Sequence, residues 1–357
     1  MCVALLNGTT PHNEKIIPLV MDTVVQPSSP SFVLPLTMAS WPWNRRINPY
    51  YKEVKKESDA WFRSFNAFSP SSQRAFELCN FCLLASLAYP DISKEHLRSG
   101  CDLMMLFFVF DEYTDLEDAS TTCIYSDIIM DALKNPTEAP SKGFWSLAVE
   151  TASKTSQHRF IKVFAEYTDS VVSQAMHRDA NFIPDVEVYL SMRRCTIGVE
   201  PSYVPLEMAF DLPGDLFEDP RMLKLSNAIT DLVVLGNDLC SYDKEQAAGD
   251  DAHNIITIVM KQFNTDLAGA LDWLAMRHEQ LVQEVLEIWD EVYSWAQESD
   301  PSLLFSRYVE GVVGWVRAND CWNFESGRYF GSEGKSIQEH RVVLLRPKEH
   351  TKPSTIL

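Results

Sequence analysis

From Asn48-Pro49 to Arg328 the chain offers one long helical segment after another and almost no alternating stretch that could pair as a strand. That pattern confines it to helix-on-helix architectures. The segments read as Tyr50–Phe68, Ser71–Tyr89, Lys94–Glu117, Ser153–Met176, Val186–Arg194, Asp219–Gln246, His253–Phe263, Asp266–Ala296 and Ser302–Arg328. Ser69-Pro70 closes the first and suits the opening of the second, Pro90 ends the second, and Asp300-Pro301 starts the last. No repeat of fixed period recurs. Only Val342–Leu345 reads as extended. Residues 1–33 contain Pro11, Pro18, Pro27, Ser28, Ser29 and Pro30 without any apolar period, so they are expected to form a flexible N-terminal arm. The expectation is an all-α, single-domain helical bundle over residues 34–346, with its long apolar helices around a central cavity, and a C-terminal tail over 347–357.

Of the 357 residues, 46% are hydrophobic, enough for a substantial core, and 31 basic against 50 acidic residues leave a net charge of −19. Binding to nucleic acid or to anionic lipid depends on Lys and Arg displacing counterions, so a surface this acidic argues against both. An anionic small substrate would need a local cationic or metal-filled patch. Eight cysteines are scattered along the chain, and the Cys79–Cys82 pair has no second pair or His cluster to complete a zinc site. Buried free thiols in a reducing compartment are expected. Met1–Thr10 has no basic leader region, and the longest apolar run, Leu103–Phe110, is far short of the roughly 20 residues that cross a bilayer. A soluble cytoplasmic protein without membrane insertion is expected.

The sharpest local contrast lies where Met104-Met105-Leu106-Phe107-Phe108-Val109-Phe110 runs into Asp111-Glu112-Tyr113-Thr114-Asp115. Asp111 and Asp115 are four apart, about 40° from eclipsed on a helix. Like charges so placed oppose each other by roughly 0.2–0.5 kcal/mol unless a cation lies between them. Hard oxygens at the end of an apolar stripe suit Mg²⁺, which keeps waters and shares substrate phosphate. The same spelling also fits the acidic last turn of an ordinary helix. A second cluster is more specific. Asn237, Ser241 and Glu245 stand at i, i+4 and i+8, so an amide, a hydroxyl and a carboxylate project from one helical face as a metal site of low total charge. Lys244 beside them could reach a phosphate oxygen as a point charge. Phe107 and Phe108 precede Asp111 by four and three residues, on the face below the metal, where their rings could stabilise a cation by about 0.5–2 kcal/mol per contact. Ordinary core packing is the competing reading for each.

Together these clusters resemble the aspartate-rich and NSE motifs of class I terpene synthases. Two further elements agree. Arg194-Cys195-Thr196-Ile197-Gly198 resembles the family's diphosphate-sensing arginine followed by its helix-breaking effector, here Gly198. Arg328-Tyr329 resembles the pair that closes over the diphosphate. The likeness extends to sesquiterpene synthases of mushroom-forming fungi, Δ6-protoilludene synthases among them, through Trp41-Pro42-Trp43, Asn48-Pro49, Ser99–Leu103, Arg193–Gly198 and Trp315–Asp320. Glu112 departs from the family's second aspartate, and Ile197 replaces the acidic linker of some relatives. The resemblance implies a cyclase that ionises (2E,6E)-farnesyl diphosphate and releases diphosphate. It implies three Mg²⁺ held by Asp111, Asp115, Asn237, Ser241 and Glu245. Arg194, Lys244, Arg328 and Tyr329 would be donors to the diphosphate, and Trp315, Tyr203 and Phe324 further walls of the pocket. A chain-elongating prenyl transferase would need a second aspartate-rich motif, and a protonation-initiated cyclase a DxDD; neither is present. A helical binding protein would leave the metal spacing unexplained. The closing pair is followed by Gly331 and Gly334, which suggests that residues after about 328 order only once diphosphate is bound.

Overall fold

The computed structural model describes residues 30–136, 144–180 and 182–348, and they form a helical bundle closed at one side by a short two-stranded clasp. Most of the expected arm, 1–29, and the tail from 349 lie outside the described residues. The arm's last part does not behave as an arm. Strand β1 (Ser31–Val33) pairs antiparallel with β2 (Val342–Leu344), Phe32 opposite Val343, and buries Phe32 and the following Leu34. The pairing period of two hides in so short a segment, which is why only the second strand was legible.

Helices α1 (Tyr51–Arg63), α2 (Pro70–Cys79) and α3 (Phe81–Ala88) come first. One helix was expected over Ser71–Tyr89. It is broken at Asn80, which takes the left-handed conformation at φ 51°. The Asn80 amide exchanges hydrogen bonds with the Tyr51 hydroxyl. The break also frees two carbonyls: that of Cys79 accepts from the Trp322 indole N–H at 2.8 Å, and that of Leu78 from the Gly327 amide at 2.8 Å. Helix α4 (Lys94–Thr114) is capped by Ser93 and buries nearly every position from Leu97 to Phe107, so it lies inside the bundle. Next come α5 (Ala119–Lys134), α6 (Phe144–Thr151), α7 (Lys154–Asp179) and α8 (Val186–Thr196). The first two were missed because α5 exposes Ile124 and Ile128 while burying a thin stripe of Thr122, Ser126, Met130 and Leu133, so its apolar residues do not mark its inner face, and α6 is short.

Gly198, at φ 71°, separates α8 from α9 (Val199–Tyr203). Then follow α10 (Asp215–Glu218) and α11 (Pro220–Ala248), the latter opened by the Asp219 cap with Pro220 in its first turn and closed by Gly249 at φ 75°. The last are α12 (Ile255–Gln262), α13 (Leu267–Ser299), α14 (Leu304–Glu325) and α15 (Gly334–His340). Pro301 does not begin α14. The Asp300 carboxylate instead accepts from the Ser302, Leu304 and Phe305 amides, and the helix starts after Leu303. Helix α4 packs on α3, α3 on α14, and α14 on α11, so the inner faces of these long helices enclose a common interior.

Candidate active site

The C-terminal halves of α4 and α11 meet at one cavity of about 300 Å³. Its walls include Met104, Phe107, Phe108, Tyr167, Val233, Trp315 and Trp322; its rim carries Asp111, Glu112, Asp115, Asn237, Ser241, Lys244 and Glu245. The two oxygen clusters read from the sequence therefore share one opening above an apolar floor.

The α11 cluster is held by its neighbours. Asn254, fully buried at the start of α12, donates to Glu245 at 2.9 Å, to the Asp238 carbonyl at 2.9 Å and to Ser241 Oγ at 3.4 Å. Its side-chain oxygen caps α12 by accepting from the Ile256 amide. The Asp238 carboxylate accepts from Tyr189 Oη at 2.6 Å and from the Ile255 amide at 2.9 Å, which locks α8, α11 and α12 together. Burial, reinforced by the Asp238 charge, pushes the Glu245 carboxyl up to about 7. Burial and then the Arg328 cation hold Lys244 below its usual value. On the opposite wall, Arg178 lies 3.6 Å from Asp115 and donates to the Thr114 and Glu117 carbonyls, fixing the end of α4.

The expected arginine, Arg194, does not line the cavity. Its fork is taken by the buried Asp231 at 2.7 Å on both arms. The preceding residue, Arg193, lines the cavity instead, 3.4 Å from Asn237 Oδ1 and 3.7 Å from Asp238. Neighbours on a helix diverge by about 100°, so α8 can aim only one of the pair inward. Gly198 does line the cavity, and a Cβ there would come within 3.3 Å of the Phe107 ring.

Arg328 and Tyr329 are both at the rim, and each has a partner there. Arg328 pairs with Glu112 and sits 5.4 Å from the centre of the Phe108 ring. Tyr329 Oη accepts from Asn237 at 2.8 Å. Past them, Arg346 bonds Asp243 and the Tyr329 carbonyl. Glu112 offers Arg328 an anionic partner besides diphosphate, so the late ordering expected after about residue 328 is not required by Arg328 alone.

Of the expected aromatic walls, Phe107, Phe108 and Trp315 line the cavity. Tyr203 stands behind Trp315, edge-on at 6.4 Å, with its hydroxyl 3.3 Å from Thr230. Phe324 stacks on Phe330 outside the cavity. Trp322 and Tyr167 were missed. Trp322 is two helical turns beyond Trp315, a spacing that could have found it; Tyr167 carries no such signal.

Among the described residues no three of His, Cys, Asp and Glu stand together as a metal cluster. The acidic oxygens are instead divided between α4 and α11, with amide and hydroxyl oxygens interleaved. Such a divided hard-oxygen set fits a divalent ion that shares its coordination with a substrate phosphate.

Fold and site together are those of a class I terpene cyclase, and the chain belongs to the terpene synthase family. Residues 102–284 match the family model described as terpene synthase family 2, C-terminal metal binding. A Delta(6)-protoilludene synthase of Postia placenta is 49% identical over 330 residues, covering 90% of this chain and 94% of that one. One from Armillaria gallica is 46% identical over 326 residues, 88% and 94% of the two chains. A Postia placenta protein named sesquiterpene synthase 14 is 49% identical over 331 residues, 90% and 94%. Germacradien-4-ol synthase of Streptomyces citricolor shares the fold with a TM-score of 0.67 at 22% identity, over 79% of this chain and 98% of that one.

Proposed function

We propose that this sesquiterpene cyclase ionises (2E,6E)-farnesyl diphosphate and folds the cation to Δ6-protoilludene by 1,11-closure. The observation that supports it most directly is the apolar, aromatic cavity roofed by two facing oxygen clusters and a cationic rim. The high identity to protoilludene synthases supports the product.

Asp111 and Asp115 from α4, with Asn237, Ser241 and Glu245 from α11, would hold three Mg²⁺, which when bound would supply the positive charge that makes diphosphate a good leaving group. Arg193, Lys244, Arg328 and Tyr329 surround the same opening and donate to the departing diphosphate, stabilising charge where it develops. Arg328 exchanges Glu112 for the diphosphate, and its fork matches phosphate oxygens. Phe107, Phe108, Trp315 and Trp322 confine the chain, and their ring faces favour the migrating cation. The closing segment keeps water out, so the cation ends by losing a proton, not by capture as an alcohol. The free, largely buried cysteines suit a cytoplasmic setting, and no helix among the described residues is long and apolar enough to cross a membrane.

Incubation with farnesyl diphosphate and magnesium, followed by gas chromatography with mass detection, tests each part. Δ6-protoilludene should dominate, and EDTA should abolish it reversibly. A different sesquiterpene, a reading that the equally similar sesquiterpene synthase 14 supports, would overturn the product alone. Release of no hydrocarbon would overturn the cyclase assignment, and undiminished turnover in EDTA would overturn the metal site.

A further inference from the structure

A second and larger cavity, about 540 Å³, lies at the other end of α4 and shares no lining residue with the first. His96 lines it and Asp111 lines the cyclisation cavity; fifteen residues at about 1.5 Å each put them roughly 22 Å apart along the helix. Its size is that of a small-molecule site, about 300–1,000 Å³.

Three features of its lining have no part in the cyclisation chemistry. First, four arginines, Arg45, Arg46, Arg307 and Arg317, face two carboxylates, Asp91 and Glu310, in a chain whose net charge is −19. Arg45 is held by Glu325, Arg46 by Asp91, and Arg317 by the Trp41 and Trp43 carbonyls with Asp320 at 3.6 Å. Glu310 accepts from Tyr293 Oη. Exposed Arg307 has no ion-pair partner among the described residues; its guanidinium stands 5.9 Å from the Phe210 ring centre. Second, His96 is buried and its Nε2 has no hydrogen-bond partner. It sits in the first turn of α4, whose positive end opens here beside Ser93. Third, Gly314 lies mid-helix in α14, where glycine costs about 0.5–1 kcal/mol relative to alanine. A Cβ at Gly314 would meet nothing within 4 Å, whereas one at Gly311 would strike Leu206 at 2.5 Å. Close packing accounts for Gly311 but not for Gly314, whose missing side chain keeps the cavity open. Most of the rest of the wall is apolar and aromatic, with Trp43, Trp289 and Leu206.

We propose that this basal cavity binds a small amphipathic anion, a single carboxylate or phosphate on an apolar body, with Arg307 as its charge partner. The site is independent of the metal-bearing opening, so it binds without magnesium.

The test is calorimetric titration of the full chain in EDTA with decanoate, decyl phosphate and neutral decanol. One molecule of decanoate or decyl phosphate should bind per chain, at least tenfold more tightly than decanol; which of the two binds tighter identifies the head group. Gly314→Leu, which projects a side chain into the space, should weaken binding of all three at least tenfold. Arg307→Gln should weaken the two anions about tenfold, the loss of one charge-assisted hydrogen bond, and leave decanol unchanged. Both variants should retain sesquiterpene turnover and the wild-type melting midpoint. Decanol binding as tightly as decanoate would overturn the anionic assignment. Anion binding that survives in both variants, or is undetectable up to millimolar concentration in the wild type, would overturn the site itself.

Discussion

Consecutive residues on a helix point about 100° apart, so the Arg193-Arg194 pair divides its work between cavity and scaffold. Arg193→Gln should lower kcat/KM for farnesyl diphosphate by a hundredfold or more, because it removes a donor facing the leaving group. Arg194→Gln should change kcat/KM less than tenfold and instead destabilise the fold by about 1.5–3 kcal/mol, since Asp231 is 2% exposed and loses its bidentate partner. Steady-state kinetics and thermal melts of both variants decide it; the reverse pattern would restore Arg194 to the diphosphate. The sequence could not make this choice, because the rotation of α8 is set by its packing on α7 and α11, not by local spelling. The i, i+4, i+8 spacing of Asn237, Ser241 and Glu245 was legible for the opposite reason: helix geometry alone places those three on one face. Glu245 gives a second test. Its folded-state value, near 7, lies above its ordinary 4.5, so the folded chain holds a proton that the unfolded chain gives up. In the metal-free protein this contribution to stability is lost as pH rises from about 4.5 through 7. Metal-free Glu245→Gln should therefore melt higher than wild type at pH 8, with the gap closing by pH 5. A pH-independent gap would show that burial does not penalise this carboxylate.

At the scale of elements, the long helices were legible from periodicity, and the start of α2 from Ser69-Pro70, because caps are local. The breaks were not. Asn80 interrupts an unbroken helical pattern only because Tyr51, Trp322 and Gly327 claim the groups that the break exposes. The role of α12 was hidden in the same way. Its N-cap, Asn254, falls inside the helix expected over His253–Phe263, yet its side-chain amide both caps α12 and reaches across to α11 to hold Glu245 and the Asp238 backbone. Asn254→Ala should cost about 1 kcal/mol from the lost cap and raise the magnesium concentration for half-maximal turnover about tenfold, in line with residues that orient metal ligands. Asn254→Asp separates the two effects. It should recover the cap and most of the melting midpoint but not the magnesium requirement, since a carboxylate cannot donate to Glu245. Recovery of both by Asn254→Asp would mean that Asn254 acts only as a cap.

For the molecule as a whole, the chain's first and last described segments meet beside α11, where Phe32 packs edge-on against Tyr242. The β1–β2 clasp lies just before Arg346, Arg346 grips Asp243 and the Tyr329 carbonyl, and Tyr329 bonds Asn237 in the α11 cluster. A segment that reads as a featureless arm in the sequence thus ends in the strand that anchors the closing pair. The sequence concealed this because three-residue strands pair only through contacts more than 300 residues apart. Truncation separates the arm from the strand. Removing residues 1–29 spares the clasp and should leave the melting midpoint and turnover close to wild type. Removing 1–34 also deletes Phe32 and Leu34, whose burial contributes about 1.5–3 kcal/mol each, and should lower the midpoint by roughly 5–10 °C. If the clasp serves the closing pair, turnover at 25 °C, far below either midpoint, should also fall at least tenfold with the longer deletion. The lost grip of Arg346 on Tyr329 should then let water reach the cation, raising the share of alcohol products. Arg346→Ala in the full-length chain should reproduce that product shift with a smaller loss of stability, since both strands remain. A longer deletion that melts early yet cyclises normally at 25 °C would confine the clasp to stability and detach it from closure.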